Sequence, residues 1–300
     1  MPRAPRHWTL VLAFWAATAL AQELEPRAYS NAPIGTHFAI ATYTRLSGPV
    51  LPDPSLPISD VNAKVNVYGV GYARFFGLLG RTANFSVIVP YMEADLTGQV
   101  FDAPSEVHRS GIGDVRLRGA INLFGYPALT PQEFAARPTT FSGGASLSIV
   151  APTGQYVPTR FVNIGTNRWA FKPDVGVSYP VGNWFTEAAA GLWLFTDNDE
   201  FQGSHNRSQE PLRVYQLHAG YNFRPGLWLA VDYGHYTGGR TAVDGVDKDD
   251  AQRNSRIGLA LSLPISRGWS GKLAWSKGTV VRVGGDYSIA TLAVQYRWFD

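Results

Sequence analysis

Between residues 61 and 75 the chain alternates two kinds of side chain without a break. Val61, Ala63, Val65, Val67, Gly69, Gly71, Ala73 and Phe75 carry no polar side-chain group, while Asn62, Lys64, Asn66, Tyr68, Val70, Tyr72 and Arg74 are mostly polar. A period of two sustained this long describes a β-strand whose faces meet different surroundings. Residues 114–123 repeat it, with Val115, Leu117, Gly119, Ile121 and Leu123 against Asp114, Arg116, Arg118, Ala120 and Asn122. So do residues 291–298, where Leu292, Val294, Tyr296 and Trp298 alternate with Thr291, Ala293, Gln295 and Arg297. Strands of soluble sandwiches run about five or six residues. About twelve residues at about 3.3 Å each, tilted by about 40°, rise about 30 Å, enough to cross the apolar band of an outer membrane.

The pattern marks twelve segments, near 34–44, 61–75, 82–92, 112–124, 141–151, 168–179, 184–196, 212–223, 228–237, 254–263, 269–277 and 287–299. Their connections sort by length. Short turns fall at 77–81, 180–183, 224–227 and 264–268, and long polar or Gly/Pro-rich loops at 45–60, 93–111, 152–167, 197–211 and 237–253. An even strand number with short turns on one side and long loops on the other is the outer-membrane pattern. The predicted fold class is all-β: a transmembrane, antiparallel, up-and-down β-barrel of about twelve strands over 34–300. Trp184, Trp228 and Trp269 each follow a short turn and Trp298 lies on the same side, so the four predict an aromatic belt at the periplasmic rim. One short-side connection, 125–140, is long; Thr130-Pro131-Gln132-Glu133 has the capping-box spacing and predicts a helix from Pro131 to about Ala136.

The first residues read as an address. Arg3 and Arg6 precede an apolar run from Thr9 to Leu20, and Ala19-Leu20-Ala21 has the small-residue cleavage pattern, which predicts a signal peptide over 1–21 and a periplasmic N-terminal segment over 22–33. Removing Arg3 and Arg6 from 26 basic residues leaves 24 against 23 acidic ones, so the basic balance argues for no nucleic-acid partner. The absence of cysteine excludes thiol nucleophiles and Cys-ligated metals and suits an oxidising envelope.

Gly111-Ile112-Gly113-Asp114, the run from Ala151 to Tyr156, and the string Asn163-Ile164-Gly165-Thr166-Asn167-Arg168-Trp169-Ala170-Phe171-Lys172-Pro173 resemble the outer-membrane transporter family labelled "MetA-pathway of phenol degradation". Thr196-Asp197-Asn198-Asp199, Tyr236-Thr237-Gly238-Gly239-Arg240 and Asn254-Ser255-Arg256 extend the likeness to nearly the whole mature chain. The resemblance implies a Gram-negative outer-membrane channel, found beside genes for aromatic-compound breakdown. Asn163, Gly165, Thr166, Asn167, Arg168 and Trp169 form the family-motif loop. One departure is visible: outer-membrane barrels generally finish on an aromatic residue read by the assembly machinery, and this chain ends Trp298-Phe299-Asp300.

Turning the polar parity inward places Lys64, Arg74, Asp114, Arg116, Arg118, Lys172, Asp174, Glu187, His218, Asp232, Arg256, Lys272 and Arg297 in the lumen. A Lys or Arg facing lipid at mid-depth costs about 2 to 4 kcal/mol, which favours that assignment. The charges fit two readings: an internal ion-pair network filling a narrow barrel, or a basic constriction that selects anionic solutes. Catalytic readings are weak, because neither a G-x-S-x-G elbow nor H-E-x-x-H occurs. The acidic loop runs at 197–200 and 244–250 lack EF-hand spacing, so no metal is assigned. The reading is a passive channel for small molecules, aromatic compounds or organic acids, needing no cofactor. Outer-membrane lipid, lipopolysaccharide, the barrel-assembly machinery and an unnamed solute are its partners. A barrel-embedded hydrolase acting on lipid or lipopolysaccharide, and a closed adhesin-like surface barrel, are the alternatives.

Overall fold

The computed structural model describes residues 24–52 and 58–300; the signal-peptide expectation for 1–21 lies outside them. Twelve antiparallel strands close on themselves. They are β1 (Thr36–Leu51), β2 (Ile58–Leu78), β3 (Arg81–Val100), β4 in two halves (Ala103–Ile112 and Val115–Phe124), β5 (Ser142–Ala151) and β6 (Ala170–Val181). There follow β7 (Trp184–Phe195), β8 (Leu212–Arg224), β9 (Leu227–Gly238), β10 (Gln252–Ser266), β11 (Trp269–Val280) and β12 (Ser288–Phe299). Each pairs with the next, and β12 pairs with β1 from Thr36↔Phe299 to Ser47↔Ser288, so the main sheet closes without a free edge.

Apolar side chains stand exposed on the outside of the wall: Tyr68 and Val70, Leu147, Val175 and Val177, Leu217, Val231, Leu259, Leu273 and Leu292. In water such a belt would be an aggregation surface; in a bilayer it is the lipid face. Rings gather at its periplasmic edge, where Trp184 meets Tyr221, Trp269 meets Tyr296, and Tyr296 stacks on Trp298. The tight turn between β2 and β3 puts both Leu79 and Gly80 at positive φ, the geometry whose twist matches a two-residue hairpin.

The loop side departs from the sequence expectation. Residues 45–60 and 93–111 read as loops, but β1, β2, β3 and the first half of β4 continue as ladder through most of them. The 21 residues of β2, at about 3.3 Å each and a tilt of about 40°, rise about 50 Å, twice the apolar band. Two further loops contribute a small second sheet from Asn198–Phe201, His205–Gln209, Thr241–Val243 and Val246–Asp247. On the short side, α1 (Pro131–Ala136) forms as its sequence predicts, with the Thr130–Glu133 capping box complete and none of its residues buried.

Parity in β2 is the reverse of the expectation. Val61, Ala63, Val65 and Val67 face inward and are buried, whereas Lys64 and Arg74 stand on the outer face. The outer parity is apolar at Tyr68, Val70 and Tyr72 and again past Arg74 at Phe76 and Leu78. Lys64 belongs to the extension opposite Asp95, and Arg74 lies at the periplasmic rim within 3.1 Å of Asp300. The inner parity packs against Leu46, Met92, Ala94, Ile289 and the loop residues Val162, Ile164 and Tyr287 as an apolar layer. An apolar parity marks lipid only where the lumen opposite it is polar, and here it is not. Trp228 is likewise turned inward. β9 begins at Leu227, one residue ahead of it, while β7 and β11 begin on their tryptophans, so Trp228 has the opposite parity and leaves the belt.

Candidate functional site

The lumen is built from inward side chains of all twelve strands and from one further stretch, residues 24–33. That stretch reads in sequence as a periplasmic lead-in, and the structure folds it up inside the barrel. Twelve strands enclose more room than eight, which side chains alone fill, and less than the water channels of 16 to 18 strands. The N-terminal stretch takes up much of the difference.

Its contacts are specific. The backbone N–H of Arg27 donates to Glu187 Oε2 at 2.7 Å, and its guanidinium donates to Asn222 and lies 4.1 Å from the Phe185 ring centre and 5.2 Å from that of Trp228. The Tyr29 hydroxyl donates to Asp174, and Arg118 Nη1 donates to the Ala28 carbonyl at 3.3 Å. Glycines make the seat: a Cβ on Gly176 would stand 2.3 Å from the Tyr29 ring, and Cβ atoms on Gly234 and Gly258 would stand 2.7 and 2.8 Å from the Leu24 methyl carbons. Sequence reasoning missed this stretch. The available signal was a run of inward glycines with Glu25, Arg27 and Tyr29 just ahead of β1.

The inward charges form a waist at this level. Pairing sets Arg118, Ser148 and Lys172 side by side across β4, β5 and β6, and Glu187, His218 and Asp232 side by side across β7, β8 and β9. Lys172 Nζ lies 4.0 Å from Asp174 Oδ2, and His218 Nδ1 lies 2.7 Å from Asp232 Oδ1 with both side chains 3% exposed. Ser178 donates to Glu187 Oε1 at 3.1 Å, so Glu187 holds strand and N-terminal stretch together. The carboxylate of Glu25, half-buried in the lumen, lies in the field of the charges of Lys172, Arg118, Arg116 and Lys272. Pairing of this kind is what buried charges require.

Besides Lys64 and Arg74, three further sequence candidates are not at the waist. Asp114 anchors an extracellular loop: its carboxylate accepts from Gly154 N at 2.8 Å and from Thr166 N and Oγ1 at 2.9 and 2.7 Å. Arg256, 0% exposed, donates to the carbonyls of Gly285 and Tyr287 at the loop end, where it fixes the backbone before β12. Arg297 has inward parity but is exposed at the periplasmic mouth. The family-motif loop serves structure too. The Asn163 side chain bridges Val157 and Arg160, Asn167 donates to Asn198 and Glu200, Arg168 donates to Gln209, and Trp169 N donates to Thr196. Gly165 and Gly154 touch backbone to backbone, with a Cβ on Gly165 placed 2.6 Å from Gly154.

The N-terminal stretch divides the lumen unequally. Against β6, β7 and β8 it leaves about 20 Å³ beside Lys172, Asp174, Glu187 and His218. Opposite, a cavity of about 260 Å³ runs between Glu25 and the wall of β1 to β4, β11 and β12. Thr42, Thr44, Thr291 and Ser276 give it hydroxyls, Val67, Ile88, Pro90 and Ile289 an apolar side, and Arg116 and Lys272 its cations. Toward the extracellular end an apolar layer around Leu46, Met92, Val162 and Tyr287 adjoins it, while a second, around Trp193, Leu212, Val214 and Tyr236, borders the smaller space. Among the described residues no cluster of His, Asp and Glu has metal-binding geometry.

Comparisons with known proteins agree with this architecture. Residues 50–296 match the family model described as "Putative MetA-pathway of phenol degradation". The COG4313 outer membrane channel from Pseudomonas putida F1 superposes with a TM-score of 0.79 at 22% identity, over 92% of this chain and 100% of that one. The beta domain of the Bordetella autotransporter BrkA gives 0.50 at 12% identity over 89% and 100%, and the transport unit of the Escherichia coli autotransporter AIDA-I 0.52 at 9% over 92% and 93%. At these identities the likeness is one of fold. No curated protein sequence matches.

Proposed function

This chain belongs to the MetA-pathway of phenol degradation family, and from that premise we propose that it is a passive outer-membrane channel for small aromatic molecules. The observation that carries the reading is the order of chemistry along the lumen. An apolar layer around Met92 and Val162 adjoins a cavity of about 260 Å³ that also holds Glu25, Arg116 and Lys272. Apolar layers lower the cost of admitting a ring, and a polar waist keeps it from settling there, as conduction needs sites that a solute can both enter and leave. A cleaved signal peptide over 1–21 brings the chain to the outer membrane in this reading, where lipopolysaccharide and the assembly machinery are its partners. This reading invokes no chemistry on the solute: Asp232 engages His218 through Nδ1, and among the described residues no hydrogen bond joins His218 to a hydroxyl that it could activate.

Swelling of liposomes containing the purified protein tests this. Phenol-sized solutes should enter and a disaccharide should not. Absence of swelling with every solute, together with ester hydrolysis by the same preparation, would replace the channel by the hydrolase reading.

A further inference from the structure

The open half of the lumen pairs an aromatic-sized space with cations. A cavity of about 150 Å³ is enough to bind benzene, and the one beside Glu25, at about 260 Å³, has room for a ring and one polar substituent. Its apolar wall is Val67, Ile88, Pro90 and Ile289; Arg116 and Lys272 enter from β4 and β11. Asp232 also reaches this cavity, but it is held by His218. Among the described residues, Glu25 is the carboxylate that the N-terminal stretch sets in this cavity, within reach of the charges of Lys172, Arg118, Arg116 and Lys272. One neighbouring acid, Asp174, shares Lys172, and its own Oδ2 has no hydrogen-bond partner. Against the Tyr29 ring, the Nε and Nη2 atoms of Arg118 are buried without hydrogen-bond partners, and these form the edge of a guanidinium that takes a carboxylate in two parallel bonds. Cations and carboxylates therefore meet at one level, where Asp232 is held by His218, Glu187 by the Arg27 N–H, and one edge of the Arg118 guanidinium stays open.

We infer that the Arg116–Lys272 side of the lumen binds a small aromatic monocarboxylate, and that the Glu25 carboxylate occupies the anion position which this solute takes on entry. The inference rests on the channel reading and narrows its solute. The apolar body lies against Ile88 and Pro90, and the carboxylate exchanges with that of Glu25. Entry of the solute thus weakens one of the ties that hold the N-terminal stretch, while its ties through Arg27 and Tyr29 stay in place. An uncharged ring of the same size fits the space but displaces nothing.

Calorimetric titration of benzoate and of benzyl alcohol into the purified barrel separates these cases. Glu25→Gln removes the internal competitor and should tighten benzoate binding about tenfold, or about 1.4 kcal/mol, with benzyl alcohol unchanged. Lys272→Gln, which keeps Glu25, should weaken benzoate by a similar factor. Chloride or acetate should compete far less well than benzoate. The inference is overturned if Glu25→Gln binds benzoate no tighter, if benzyl alcohol binds as well as benzoate, or if acetate competes as well. Conductance of the same preparations is read separately. A protein that conducts and fails the binding tests sinks this inference alone, whereas one that binds benzoate and passes no current sinks the channel reading.

Discussion

The backbone N–H of Arg27 donates to the Glu187 carboxylate at 2.7 Å, a contact between residues 160 apart that fixes the start of the chain to the wall of β7. A hydrogen bond to a charged acceptor contributes about 1.5 to 3 kcal/mol. Glu187→Ala removes it together with the bond from Ser178. The N-terminal stretch should then leave its seat about ten to a hundred times more often, seen in single-channel recordings as more frequent wide openings. An unchanged opening frequency would mean that the stretch is held by its packing alone.

Tyr29 depends on a missing side chain. Gly176→Val puts a Cβ 2.3 Å from the ring, too close for either to remain in place, and the Gly176 backbone belongs to a regular ladder that gives little. Tyr29 should be expelled and lose its bond to Asp174. A Ser30→Cys substitution, which leaves Tyr29 in place beside it, would report this through faster labelling by a soluble thiol reagent in the Gly176→Val background, and equal labelling rates would contradict the seat described above.

Asp114 is predicted to matter for the loop rather than for ion selectivity. Asp114→Ala leaves three donors on Gly154 and Thr166 without their acceptor. At about 2 kcal/mol for such a buried group, hydrogen exchange at the Gly154 and Thr166 amides should accelerate about 30-fold. Anion preference should hold for this variant and fall for Arg116→Gln. The reverse pattern of reversal potentials would return Asp114 to the pore.

Asp300 is tied to the opposite end of the barrel seam. Its carboxylate lies 2.6 Å from His37 Nε2 and 3.1 Å from Arg74 Nη2, and the His37 hydrogen bond holds its pKa below the usual carboxylate range, with the charges of His37 and Arg74 adding to this. A depressed folded value means that the contact contributes stability above the ordinary pKa of about 3.9 and loses it as pH falls through the lower folded value. His37→Phe should raise the Asp300 titration midpoint, followed by NMR of the side-chain carboxyl, toward that ordinary value. A midpoint that does not move would remove His37 as the cause.

Strand positions were legible because a barrel wall imposes a period of two wherever it separates lipid from a polar lumen, as in 114–123 and 291–298. The direction of the period was not legible in β2, where the lumen face is as apolar as the lipid face and polarity could not tell them apart. The Trp228 expectation failed for a related reason: a belt was read from distance to a turn, while the facing depends on which residue begins the strand. The capping box at Thr130 was legible since its chemistry is local. The N-terminal stretch was not, because its partners Glu187, Asp174 and Asn222 come from distant strands and 24–33 carries no period of its own. Of the charged residues, those on β4, β6, β7, β8, β9 and β11 came together at the waist; Lys64, Arg74, Asp114, Arg256 and Arg297 lie outside it.

The central claim is that solutes pass through this lumen alongside a resident N-terminal stretch. Single-channel conductance in planar bilayers tests it most directly, with the full mature chain compared with one that begins at Ser30. The full chain should show small discrete steps through the cavity beside Glu25, and the shortened chain larger ones, since the lumen loses what Leu24, Arg27 and Tyr29 fill. Equal steps from both would contradict the placement of the stretch in the conducting path, and no current from either would contradict the channel itself.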